Sequence, residues 1–383
     1  MQTKPKLRFK EFNNNWNNFA LKEFCIINPN NNKTLPNKFF YIDLESVING
    51  QIACKLNAIN KDNAPSRAAR ILQVNDLLYQ TVRPYQRNNY LFSNELELPT
   101  VASTGYAQMR TTKNSIKFLY QLIHTDEFVN NVMKRCTGTS YPAINSTDLS
   151  NIIISVPNIE EQEKIAGFLS KVDELINECE GEVKDLEEQK KGLMQKIFSQ
   201  QIRFKDSNNN PYPDWEEKYV NEVCDISTGK GNTQDKEDNG IYPFYVRSAI
   251  IERSNKYIFD GEAVLTVGDG VGAGKVYHYV NEKFNFHQRV YKMSNFNGIL
   301  GKYFYYYFST HFYDRVKKMT AKTSVDSVRL EMISKMTLLI PCQEEQEKIA
   351  KVLSKMDELI EEKKALLSDW QQFKKGLLQQ MFV

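Results

Sequence analysis

The segment EEQEKIA occurs twice in this chain, at Glu160–Ala166 and at Glu344–Ala350, 184 residues apart. The match extends outward at the same offset. Pro157 answers Pro341, and KKGLMQKIF at Lys190–Phe198 answers KKGLLQQMF at Lys374–Phe382. No gap is needed over about 40 residues, which marks an internal duplication. Any fold for this chain must house two copies of one element.

Each copy reads as one long helix. Ile165, Leu169, Val172, Ile176, Cys179, Val183, Leu186, Leu193 and Ile197 follow the alternating steps of a heptad seam. Ile349, Leu353, Met356, Ile360, Leu367, Trp370, Leu377 and Met381 do the same in the second copy, and Lys190, Lys363 and Lys374 interrupt. Asn158 and Glu161 have capping-box spacing, and acidic residues crowd both first turns, which suits the helix dipole. Forty residues make a rod of roughly 60 Å. An amphipathic rod of that length needs a partner, and two in one chain most simply pair antiparallel.

The segments before the rods correspond more loosely. NNNWNNFALKEFCII around Trp16 and Cys25 is similar to YPDWEEKYVNEVCDIS around Trp215 and Cys224, at an offset of 199. FFYIDLES near Phe40 is similar to PFYVRSAI near Phe244. Both halves are strand-rich: ARILQVNDLLYQTVRP, GEAVLTVGDG, KVYHYV and HQRVYKM combine β-branched or alternating patterns with turn residues. The aromatic run Lys302–Phe308 is expected to pack a core. The resulting expectation is a mixed α+β chain: two globular strand-rich domains in a pseudo-twofold relation, separated by two long antiparallel coiled-coil helices.

Composition narrows the function. Hydrophobic residues are 41% and charged residues 25% of 383, an ordinary globular balance. No run of 18 apolar residues exists and the N-terminus lacks a signal-peptide stretch, so a cytoplasmic location without membrane contact is expected. Six scattered cysteines without a C-x-x-C pair argue against zinc and disulfides. Eleven acidic and six basic side chains leave residues 160–199 at −5, and eight and seven leave residues 344–383 at −1. The remainder therefore holds +9 of the chain's net +3, an excess that suits nucleic acid.

Catalytic signatures fail on inspection. Gly268, Gly270 and Ala273 fit G-x-G-x-x-A, but a strand pattern follows where a dinucleotide site needs a helix. A phosphate-binding P-loop fails at Asp269 and Val276. Asn210–Pro213 reads NPYP, the wrong order for an adenine methyltransferase motif. No catalytic residue and no metal ligand set is assigned. What remains is loop chemistry suited to bases and phosphates. In the first half these residues are Arg83, Tyr85, Gln86, Arg87, Asn88, Gln108, Arg110, Thr139, Ser140 and Tyr141. In the second they are Lys230, Asn232, Arg247, Lys275, His287, Gln288, Arg289, Lys322, Thr323 and Ser324. A self-contained DNA adenine methyltransferase and a coiled-coil scaffold without DNA function stay open as alternatives.

Two unlike domains, each followed by a helix opening P-x-x-E-E-Q-x-x-I-A, resemble the specificity (S) subunit of type I restriction–modification enzymes. GDGVGAGKVYHY with HQRVY is similar to one class of target recognition domain, and DLLYQTVRPYQRN to another. The resemblance implies target recognition domains at 1–157 and 201–341, a central conserved helix at 158–200 and a C-terminal one at 342–383. It implies a non-catalytic subunit that reads an asymmetric, split target in double-stranded DNA. Two methyltransferase subunits using S-adenosylmethionine, and restriction subunits using ATP and magnesium, would be its partners. No cofactor is expected on this chain itself.

Overall fold

The computed structural model describes residues 4–30, 34–53, 55–320 and 327–383. They form two compact units, one of residues up to Glu180 with Ala365–Val383, the other of Gly181–Lys364.

The duplicated segments are α-helices at Ile159–Phe198 and Gln343–Met381. Within the first unit, Asp173 pairs with Lys374, and Gln371 donates to Glu180 at 3.2 Å. Within the second, Lys190 pairs with Asp357, and Glu182 meets Lys363 at 2.6 Å. Rising numbers on one helix meet falling numbers on the other, so each unit holds an antiparallel helix pair. Lys190 and Lys374, which interrupt the apolar seam, are its crosslinks. Their partners Asp357 and Asp173 are themselves related by 184, so one bond is made twice. The apolar seam positions are buried or half-buried, and none is exposed.

The globular parts share a frame. Asn17–Ala20 pairs antiparallel with Ile153–Val156, and Glu216–Tyr219 with Thr337–Ile340. A one-turn helix follows each first strand, at Leu21–Phe24 and Val220–Val223, and ends in Cys25 and Cys224. Burial pushes both thiols up to about 12.

The repeated heptapeptide fastens this frame to the rods. Glu161 and Glu345 are fully buried. Arg8 grips Glu161 with two bonds of 2.7 Å, and the Trp16 indole N–H donates to it at 3.4 Å. Arg203 grips Glu345 at 3.1 and 2.8 Å, and Trp215 donates at 3.0 Å. Each following glutamine is a second clasp. Gln162 donates to the Pro157 carbonyl and accepts from the Ser115 amide. Gln346 donates to Pro341 and accepts from Leu300. Ser115 and Leu300 are the N-caps of Ile116–Leu122 and Gly301–Met319, so the clasp fixes a further helix in each unit. The capping box is therefore half-formed. Asn158 accepts from the Glu161 amide at 3.2 Å, but the Glu161 carboxylate serves Arg8 instead. The outer acidic residues Glu160, Glu163, Glu344 and Glu347 stay exposed.

On this common frame the sheets differ. The first unit carries two four-stranded sheets, ordered 58–60, 38–42, 100–103, 68–71 and 26–27, 106–110, 76–80, 90–92. The second carries one six-stranded sheet, ordered 225–228, 290–294, 259–267, 277–286, 242–245, 251–254. The aromatic run lies in the helix Gly301–Met319, whose Tyr303, Phe304, Tyr306, Tyr307, Phe308 and Phe312 are buried in the second core. Among the described residues no helix is long and apolar enough to cross a membrane.

Two outcomes follow from this packing. Removing one partner of a buried ion pair strands the other, at about 3–5 kcal/mol. Glu345→Ala should therefore lose that much in chemical denaturation, and Glu163→Ala, on the exposed face, almost nothing. Burial also lowers His124 in the first unit and His278 in the second to about 4. Unfolded imidazole protonates near 6.5, so the stability tied to the neutral rings is complete above about pH 6.5 and is lost as pH falls toward 4. His124 alone accounts for roughly 3 kcal/mol over that window. Urea melts at pH 7, 5.5 and 4 should show the slope, and His124→Asn should flatten it.

Candidate nucleic-acid interface

In the second unit, four segments meet at the ends of the six-stranded sheet. The hinge is His287–Arg289, between strands Tyr277–Phe286 and Val290–Ser294. Its His287 amide donates to Tyr245, its Gln288 amide to Gly231, and its Arg289 carbonyl accepts from Gly268 at 2.7 Å. These bonds draw together the strap 229–232, the segment around Arg247 and the glycine-rich loop 268–274. The strap needs glycine: a Cβ on Gly229 would lie 2.0 Å from the Phe286 carbonyl oxygen. Lys230, Asn232, Arg247, Lys275, Gln288 and Arg289 are exposed. The Gln288 amide donates to Asn232 at 2.7 Å, which ties two candidate readers into one unit. The Lys275 ammonium sits 5.3 Å from the Tyr313 ring centre. His287 differs from the rest. It is buried, its Nδ1 accepts from the Arg289 amide at 3.0 Å, and burial first, then the nearby Arg247, lower its pKa. Its role is to set the hinge. Lys322, Thr323 and Ser324 lie outside the described residues.

In the first unit, the loop after strand Asp76–Gln80 lies against the 137–143 loop. Val82 bridges Ala143, and the Arg83 amide donates to Pro142 at 2.7 Å. Arg83 and Arg87 flank the turn Pro84–Gln86 and both take left-handed backbone, at φ 53° and 56°. Such strain in arginine is uncommon and recurs at functional sites. The Arg83 guanidinium lies 4.2 Å over the ring of Tyr141, itself 64% exposed. Tyr85, Gln86, Thr139 and Ser140 are exposed beside them.

The remaining first-half candidates are engaged by other groups of the protein, Arg87 and Asn88 at its surface. Arg87 pairs with Asp126 at 2.6 Å and donates to the His124 carbonyl at 2.9 Å. The Asn88 side chain accepts from the Asn49 amide at 3.3 Å. Gln108 is buried and donates to Ile71 and Asp76. Arg110 grips the same Asp76 with bonds of 2.6 and 2.7 Å. Sequence chemistry alone grouped these with the exposed set because Asp76 and Asp126 are distant along the chain. Two residues of the second unit lie outside the set of candidate readers: Asp269, and Val271, which is 96% exposed at the tip of the glycine-rich loop.

The family described as Type I restriction modification DNA specificity domain matches this chain twice, at residues 13–188 and 212–368. The Type I restriction enzyme MjaVIII specificity subunit of Methanocaldococcus jannaschii is 27% identical over 300 residues, 71% of this chain and 70% of that one. The EcoDI specificity subunit of Escherichia coli is 29% identical over 169 residues, 43% of this chain and 36% of that one. Among solved structures, the S subunit of a type I restriction–modification system from M. genitalium shares the fold. Its TM-score is 0.66 over 99% of both chains, at 14% identity. A chain from work on complex assembly and conformational transition of the type I R-M system scores 0.54 over 95% of this chain and 96% of that one, at 19% identity. The two family segments fall on the two strand-rich parts and their rods, and on that basis the protein belongs to the type I restriction–modification DNA specificity family, as a non-catalytic specificity subunit that recognises a DNA target.

Proposed function

We propose that residues 1–157 and 201–341 each read one half of a split, asymmetric duplex target, while the helices 158–200 and 342–383 set the spacer and dock two methyltransferase subunits. The observation that carries this reading is one frame with two different displays. Tyr85, Gln86, Thr139, Ser140 and Tyr141 stand out from the first unit, with Arg83 half-buried against the Tyr141 ring. Lys230, Asn232, Arg247, Lys275, Gln288 and Arg289 stand out from the second. Arginine and lysine favour guanine edges, asparagine and glutamine adenine edges, and hydroxyls hold phosphates. Unlike displays read unlike half-sites. Docking of two like partners is supported by Leu175 and Leu359, one offset of 184 apart, which leave the seam and are 39% and 40% exposed. Adenine methylation then uses S-adenosylmethionine held by the methyltransferase subunits, and cleavage uses restriction subunits with ATP and magnesium.

Two experiments test this. Replacing residues 201–341 with the corresponding part of another member should change one half-site in the host methylome and leave the other intact. A change in both halves contradicts the modular reading. Inserting four residues, about one helical turn, into one rod should alter the spacer length with both half-site sequences preserved. An unchanged methylated motif rejects the rods as the spacer.

A further inference from the structure

The glycine-rich loop projects from the second unit on a firm base. The Gly268 amide donates to the Arg289 carbonyl and the Gly268 carbonyl accepts from the Val328 amide, each at 2.7 Å. Asp269, the next residue, lies between two arginines from different segments. Its Oδ2 is 3.8 Å from an Arg247 terminal nitrogen and 3.7 Å from Arg289 Nε. Its Oδ1 is shielded from solvent and has no hydrogen-bond partner among the described residues.

This geometry differs from that of three other arginine–carboxylate sites among the described residues. Arg8 on Glu161, Arg203 on Glu345 and Arg110 on Asp76 are two-bond grips of 2.6–3.1 Å on carboxylates no more than 2% exposed. Those guanidiniums are spent on the protein. Arg247 and Arg289 lie beyond hydrogen-bond range of Asp269. Their side chains are 53% and 64% exposed. Among the described residues neither guanidinium hydrogen-bonds a protein acceptor. One carboxylate orients both arginines electrostatically and leaves their donors available.

We propose that Arg247 and Arg289 each read a guanine in the half-site recognised by residues 201–341, and that Asp269 is the positioning residue that sets their reach. A guanidinium fork matches the O6 and N7 acceptors of guanine. The inference rests on residues 201–341 being a DNA reader. It also predicts an effect on affinity and specificity in opposite directions. Without the carboxylate the surface gains positive charge, which strengthens contact with any duplex, while the arginines lose their fixed aim.

The test uses the full chain assembled with its methyltransferase subunits, and compares wild type with Asp269→Asn, Arg247→Ala and Arg289→Ala. Methylome sequencing should show each arginine variant relaxing one guanine position of a single half-site by roughly 10–100-fold. D269N should relax both positions, and the purified complex should bind non-specific duplex at least as tightly as wild type. A wild-type motif in D269N overturns the positioning role, as does a uniform loss of binding with the motif unchanged. A half-site without guanine overturns the whole proposal. If D269N fails to assemble, R289A decides, since an unaltered motif there is equally fatal. Exchange of residues 201–341, run alongside, separates the two levels: if it leaves both half-sites unchanged, the reader assignment fails rather than this inference.

Discussion

A buried glutamate that needs an arginine and a tryptophan is the contact on which each unit depends. Glu161 holds Arg8 and Trp16; Glu345 holds Arg203 and Trp215. A carboxylate sealed in a core is tolerated only with its partners present. The arm before each globular part and the start of each rod must therefore be kept together. Duplication preserved that set as a whole, and the adjacent glutamines extend it to the helices capped by Ser115 and Leu300. The helix pairing obeys the same rule, since Asp173–Lys374 and Asp357–Lys190 are one ion pair written twice.

With the frame held this firmly, the sheets are free to differ. Both units keep a parallel strand contact, Lys38–Ile42 on Thr100–Ser103 and Tyr242–Tyr245 on Tyr277–Phe286. Around it the first unit builds two four-stranded sheets and the second a single sheet of six. Loops at the strand ends carry the exposed arginines, glutamines and tyrosines, the usual place for recognition on a rigid scaffold. One set of buried contacts thus supports two unlike surfaces.

Local patterns were legible in the sequence and distant partnerships were not. The rods could be read because heptad spacing repeats within a few residues. The strand Phe259–Val267 carries a β-branched, apolar run and Tyr277–Phe286 opens on the alternating YHYV, signals that are equally local. The purpose of EEQEKIA was hidden because Arg8 lies 153 residues from Glu161 and Trp16 lies 145 away; the acidic turn read naturally as a dipole effect. Gln108 and Arg110 looked like base readers by chemistry, yet Asp76 on the neighbouring strand claims both. Asp269 marks in sequence only the failure of a P-loop signature, because Arg247 and Arg289 join it only in the folded sheet.

The central claim is that a duplicated frame presents two independent readers to DNA. Single-molecule methylome sequencing of the host, with and without this chain, tests it most directly. The account predicts one adenine-methylated motif made of two dissimilar specific halves around an unread gap of fixed length, present only with the chain. A continuous or palindromic motif, or one that persists after the chain is deleted, would contradict it.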